Sequence, residues 1–166
     1  MTNETVQVAI IMGSDSDLPV VEASFSILDD FGIKYTKNVM SAHRTPHDVM
    51  ELIKNSEENG CKVFIAAAGM AAHLAGAVAA HSTKPVIGIP IESGGMGGID
   101  SLLSTAMMPP GVPVATVAVG KSGAKNSAIL AVQILATSDE GLAQKLVEYK
   151  QNMRSEVLEK DKKLNS

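Results

Sequence analysis

Cysteine occurs once in this 166-residue chain, as Cys61, so it has neither an internal disulfide nor a cysteine-built zinc site. Tryptophan is absent, and 3 Phe and 2 Tyr are the only aromatic side chains. A flat ligand is therefore not sandwiched between rings; it must be small and held by backbone. Positive charge is also short, with 14 Lys and Arg against 18 Asp and Glu and a formal net charge of −4. Proteins that grip a nucleic-acid backbone need clustered Lys and Arg, so a nucleic-acid partner is not expected. The longest apolar stretch, around residues 63–80, is broken by Gly69 and His73 and makes a poor membrane span. The start, MTNETVQ, is polar and acidic, unlike a signal peptide. These absences describe a soluble cytoplasmic protein.

The chain has the length of one domain able to bury its own core. We read residues 1–158 as a single α/β domain and 159–166 as a polar tail. Strand-like runs recur at VQVAIIM (6–12), KYTKNVM (34–40), KVFIAAA (62–68), PVIGIPI (85–91) and VATVAV (114–119). Four of them are almost continuously apolar, as parallel strands covered on both faces should be. Val21, Phe25 and Leu28 repeat at helical spacing after the first run, with Gly32 placed to cap. Thr45-Pro46 reads as the N-cap and first residue of a second helix, which Gly60 ends. Repeated β-α units of this length build a three-layer α/β/α sandwich around a parallel sheet. Beyond the last strand, Leu142, Leu146, Tyr149 and Met153 make a helical stripe that packs either on its own domain or on a neighbouring subunit.

Two nucleotide motifs fail on inspection. Gly120-Lys121-Ser122 follows a strand, but the P-loop needs a glycine where this chain has Ala115. SGGMGGID offers four glycines, yet no frame gives G-x-G-x-x-G. Such glycines suit mobile or tightly turning loops.

In parallel sheets of this kind, ligands collect at the carboxyl ends of the strands. The first such loop, MGSDSDLP (12–19), offers turn amides and a positive helix end to a phosphate; helix capping by Ser16 or Asp17 is the plainer alternative. The second, SAHRTP (41–46), adds Arg44, whose planar fork grips phosphate. It also adds His43, which is either an ordinary surface histidine or a proton carrier, since imidazole's reference pKa of ~6.5 suits proton transfer near neutrality. The third, AAAGMAAHLAG (66–76), is built of small residues that let a flat ligand approach the backbone. His73 lies in the first turn of the helix that follows, either as a buried, hydrogen-bonded histidine or as a ligand group. His47 and His81 have no such setting, and no histidine–carboxylate grouping has metal-site spacing. With Arg44, serine hydroxyls and turn amides taking the phosphate, Asp17 is free to accept hydrogen bonds from two adjacent sugar hydroxyls. Phosphate plus diol describes a ribonucleotide.

Taken together, MGSDSD, SAHRTP, AAGMAAHLAG and DSLLSTAMMPPGVPVATVAVG…GAKNSAILAVQIL resemble the N5-carboxyaminoimidazole ribonucleotide mutases of purine biosynthesis, over about residues 6–158. The resemblance implies a flavodoxin-like fold, a homo-octamer with sites between subunits, and no metal or organic cofactor. It assigns proton transfer to His43, phosphate to Ser14, Ser16 and Arg44, and ribose to Asp17. Ser41, Gly69 and His73 then hold the base and the migrating carboxyl group. Two stretches depart from the pattern. Met70 and Ala75 stand within a loop that many members write GAGGAAHLPG, and IESGGMGGID is richer in glycine and carries Glu92. No role is assigned to Glu92. Two other readings compete: a sister enzyme that carboxylates aminoimidazole ribonucleotide directly with CO2, and a non-catalytic ribonucleotide-binding protein. The AAHL of the third loop resembles the mutases, and a binding protein would have no use for His43 beside Arg44.

Overall fold

All five strand-like runs become strands of one parallel sheet in the computed structural model, which describes residues 5–166. The strands are β1 (Val8–Met12), β2 (Tyr35–Val39), β3 (Val63–Gly69), β4 (Val86–Ile91) and β5 (Ala115–Thr116). Their order is β2-β1-β3-β4-β5, the flavodoxin-like arrangement, with every pairing parallel. β2, the one polar run, is an edge strand of half-buried and exposed residues, whereas β1 and β4 are buried throughout.

The pleat sends alternate residues to two cores. Ile10, Ile65 and Ile87 pack with Val21 and Leu28 of α1 (Leu18–Phe31) and with Ala128 and Val132 of α5 (Lys121–Ala136). Ile11, Phe64 and Ala66 pack with Val49 and Ile53 of α2 (Pro46–Glu58) and with Leu74 and Val78 of α3 (Leu74–His81). Each fully buried aliphatic side chain contributes about 1.5–3 kcal/mol, so the two faces together fix the register. Cys61 is part of the second core; its thiol donates to the Val63 carbonyl, and burial pushes its pKa up, which keeps it unreactive. Among the described residues no helix is long and apolar enough to cross a membrane.

Three expectations need adjustment. Thr45 does occupy the N-cap of α2, but its hydroxyl makes no capping bond; it donates to the Ser41 carbonyl and accepts from the Ser41 N–H, both at 3.0 Å. The side chain locks the preceding turn instead. β5 is shorter than the 114–119 run, because beyond Thr116 only isolated bonds such as Val117 N–H to the Gly88 carbonyl join it to β4. The chain is then bending sharply into α5. Helix α6 (Glu140–Leu164) continues through most of the segment read as a tail. Leu142 is buried and Leu146 and Tyr149 are half-buried against the first core, but Met153 is exposed, as is every residue after Tyr149. The apolar stripe therefore divides between its own domain and open surface.

Candidate active site

In this strand order the chain reverses direction across the sheet between β1 and β3, which opens a crevice at their carboxyl ends. A cavity of about 480 Å³ lies there, walled by the loops that follow β1, β2, β3 and β4. Ser14, Ser16, Asp17, Ser41, His43, Arg44, Gly69 and His73 all line it.

The β1 loop forms a 3-10 turn at Asp15–Asp17. Ser14 is its N-cap: its Oγ accepts from the Ser16 N–H at 3.3 Å, and Asp17 Oδ2 accepts from the Ser14 N–H at 3.1 Å. The cap is thus Ser14 and not Ser16 or Asp17: Asp17 is the N-cap of α1 but makes no capping bond there, and Ser14 and Asp17 both line the cavity. Asp17 is only 5% exposed. Burial raises its carboxyl pKa, the Ser14 N–H pulls it back, and the neighbouring Asp15 charge pushes it up further.

Arg44 reaches across to this turn. Its Nη2 donates to the Gly13 carbonyl at 3.1 Å, while its backbone N–H donates to Ser41 Oγ at 3.2 Å. The Gly13 carbonyl takes one of five guanidinium donors, which leaves the fork able to bind an anion beside the hydroxyls of Ser14 and Ser16. Those two hydroxyls are 2.8 Å apart.

On the β3 side, His73 is the N-cap residue of α3, one position before the expected first turn, and makes no side-chain capping bond. Its exposed ring sits 5.7 Å from that of His43, centroid to centroid, tilted by 56°. The β3 loop is strained: Met70 and Ala72 hold φ of 56° and 35°, a region that costs a side-chain-bearing residue roughly 1–2 kcal/mol. The Ala72 N–H bonds the Gly69 carbonyl at 3.0 Å and closes this turn.

Ser93, on the β4 loop, also lines the cavity and escaped sequence reasoning. Its only signal was its place just beyond the carboxyl end of a strand. His47, His81 and Glu92 are exposed and do not line the cavity. Among the described residues no group of three or more His, Cys, Asp or Glu could hold a metal ion.

The arrangement offers an anion site, a buried carboxylate next to it, and two imidazoles over a wall of small residues. The protein-family model described as AIR carboxylase matches residues 7–156. The chain is 52% identical to the N5-carboxyaminoimidazole ribonucleotide mutase of Thermotoga maritima, covering 95% of this chain and 91% of that protein. It is 50% identical to the mutase of the same name from Bacillus subtilis, covering 95% and 97%. The crystal structure of Treponema denticola PurE superposes with a TM-score of 0.87 at 32% identity, over 96% of this chain and 99% of that one.

Proposed function

This chain belongs to the AIR carboxylase family, and from that premise we propose that it is an enzyme of purine biosynthesis converting N5-carboxyaminoimidazole ribonucleotide to 4-carboxy-5-aminoimidazole ribonucleotide. The observation that carries the reading is that one cavity, at the switch point of the sheet, gathers Arg44, Ser14 and Ser16 with Asp17 and the His43–His73 pair. Phosphate sits on Arg44 and the serine hydroxyls, ribose on Asp17, and the aminoimidazole against Gly69 and His73, with Ser41 beside them.

His43 acts twice. As an acid it gives a proton to the exocyclic nitrogen as the N–CO2 bond breaks and CO2 departs. The freed amine enriches the ring carbon, which attacks the retained CO2. His43, now neutral, removes the proton from that carbon and returns to its starting state. The net change is an isomerisation, with no atoms gained or lost. Retention of CO2 needs a covered site, yet His43, Arg44 and His73 are all exposed in the single chain. We propose that neighbouring subunits cover the site in a homo-octamer working in the cytoplasm; the exposure of these side chains supports a site shared between subunits.

The experiment is direct assay of purified protein, without ATP, on two substrates. Conversion of the N-carboxylated ribonucleotide is expected. Turnover of only the uncarboxylated ribonucleotide with bicarbonate would make this the sister carboxylase, and binding without turnover of either would make it a binding protein.

A further inference from the structure

We propose that the Ser93 hydroxyl is a further substrate contact, donating a hydrogen bond to the carboxylate that the reaction moves; the proposal rests on the mutase reading above. The strand order sets the loops in a row along the carboxyl edge of the sheet. Ser41 and Arg44 stand on the first, Ser14, Ser16 and Asp17 on the second, Gly69 and His73 on the third, and Ser93 on the fourth. A ribonucleotide with its phosphate between the first two loops runs along this row and brings its base to the last two.

The register places Ser93 at that end. Gly69 pairs with Ile91, so the chain two residues later passes over Gly69. A Cβ on Gly69 would lie 1.8 Å from Ser93 Oγ and 2.9 Å from Ser93 Cβ. Only glycine leaves room for that hydroxyl, which lines the cavity. Among the described residues Ser93 Oγ has no hydrogen-bond partner, whereas the hydroxyls of Ser24, Ser101, Ser104 and Ser127 all bond carbonyls of their own helices or turns. Ser93 has a donor to spare.

A hydroxyl also fits the chemistry. The N-bound carboxylate must shed its charge to leave as neutral CO2, so a cation there would stabilise the ground state and slow departure. Among the described residues Arg44 is the only Lys or Arg lining the cavity, and it stands at the phosphate end. A neutral donor orients the carboxylate without holding its charge in place.

The test is Ser93→Ala, a truncation of an exposed side chain that the fold tolerates. Wild type and variant are titrated calorimetrically with 4-carboxy-5-aminoimidazole ribonucleotide and with 5-aminoimidazole ribonucleotide, which lacks the carboxylate. The variant is expected to bind the carboxylated ligand about tenfold more weakly, the scale of one charge-assisted hydrogen bond, and the uncarboxylated ligand within about twofold of wild type. Equal weakening toward both ligands, or none toward the carboxylated one, would overturn the proposal. Failure of the mutase reading shows separately, as wild-type protein that does not convert the N-carboxylated substrate.

Discussion

At the scale of single residues, the site follows from which side chains the loops can hold still. His43 stands beside Arg44 and faces His73, so His43→Asn is expected to lower turnover at least ~10²-fold while nucleotide still binds. Steady-state kinetics together with a binding titration checks both halves. Asp17 makes a different prediction, because burial raises its pKa in the folded state. The folded protein then holds more protons than the unfolded chain between the ordinary carboxylate value of about 3.9 and the raised one, and stability falls as pH rises through that window. Asp17→Asn keeps an acceptor for the Ser14 N–H and removes the buried charge. Its melting temperature should exceed wild type near neutrality, and the difference should shrink on acidification below that window. A gain that grew with acid would reverse the assignment. That the eight candidate residues line one cavity was legible, because each stands on a loop just beyond a strand. Ser93 was not, because its position depends on strand register across β3 and β4. Nor was the left-handed strain at Met70 and Ala72, which no side-chain pattern announces.

Elements were legible where periodicity is strong and obscure where tertiary contact decides. β1, β3 and β4 read correctly because burial on both faces leaves continuous apolar runs, and Gly32 read as a cap because it adopts φ of 74°. The β5–α5 junction did not, although it holds the one lysine-bearing glycine motif in the chain. A Cβ on Gly123 would lie 1.6 Å from the Ala118 carbonyl oxygen and 2.7 Å from its carbon. That glycine is a packing requirement of the turn. Gly123→Ala must push α5 away from backbone that cannot yield, and should cost about 3 kcal/mol, the upper end of the overpacking range. Gly95→Ala meets nothing within 4 Å and carries only the penalty of φ 74°, about 1 kcal/mol. Denaturant midpoints of the two variants should therefore separate clearly. Similar losses in both would mean that close approach at Gly123 does not govern this junction.

For the whole molecule, the described residues of the single chain include two open apolar surfaces on helices. Met96, Ile99, Leu103 and Met107 recur at spacings of three or four along and around helix α4 (Ile99–Ala106), and all are more than half exposed. The end of α6 carries Met153, Val157 and Leu158 beyond its last contact with the core. A free helical end of that length is marginal in water, and each exposed aliphatic side chain forgoes about 1.5–3 kcal/mol of burial. Both surfaces are accounted for if subunits pack there. The α4 surface follows directly on the loop that carries Ser93, so a neighbour seated on it would also screen the cavity from solvent. Assembly and CO2 retention then become one property. Leu103→Asp, which adds charge to a side chain with little role in the single chain's core, is expected to give folded subunits of lower mass by light scattering, with far-ultraviolet circular dichroism unchanged. In a single turnover of carboxyl-labelled substrate in unlabelled bicarbonate buffer, wild type should keep most of its label, and the variant should lose label to the buffer and turn over more slowly. An octameric variant, or a dissociated one that retains label as well as wild type does, would separate assembly from catalysis and remove the α4 surface from the mechanism.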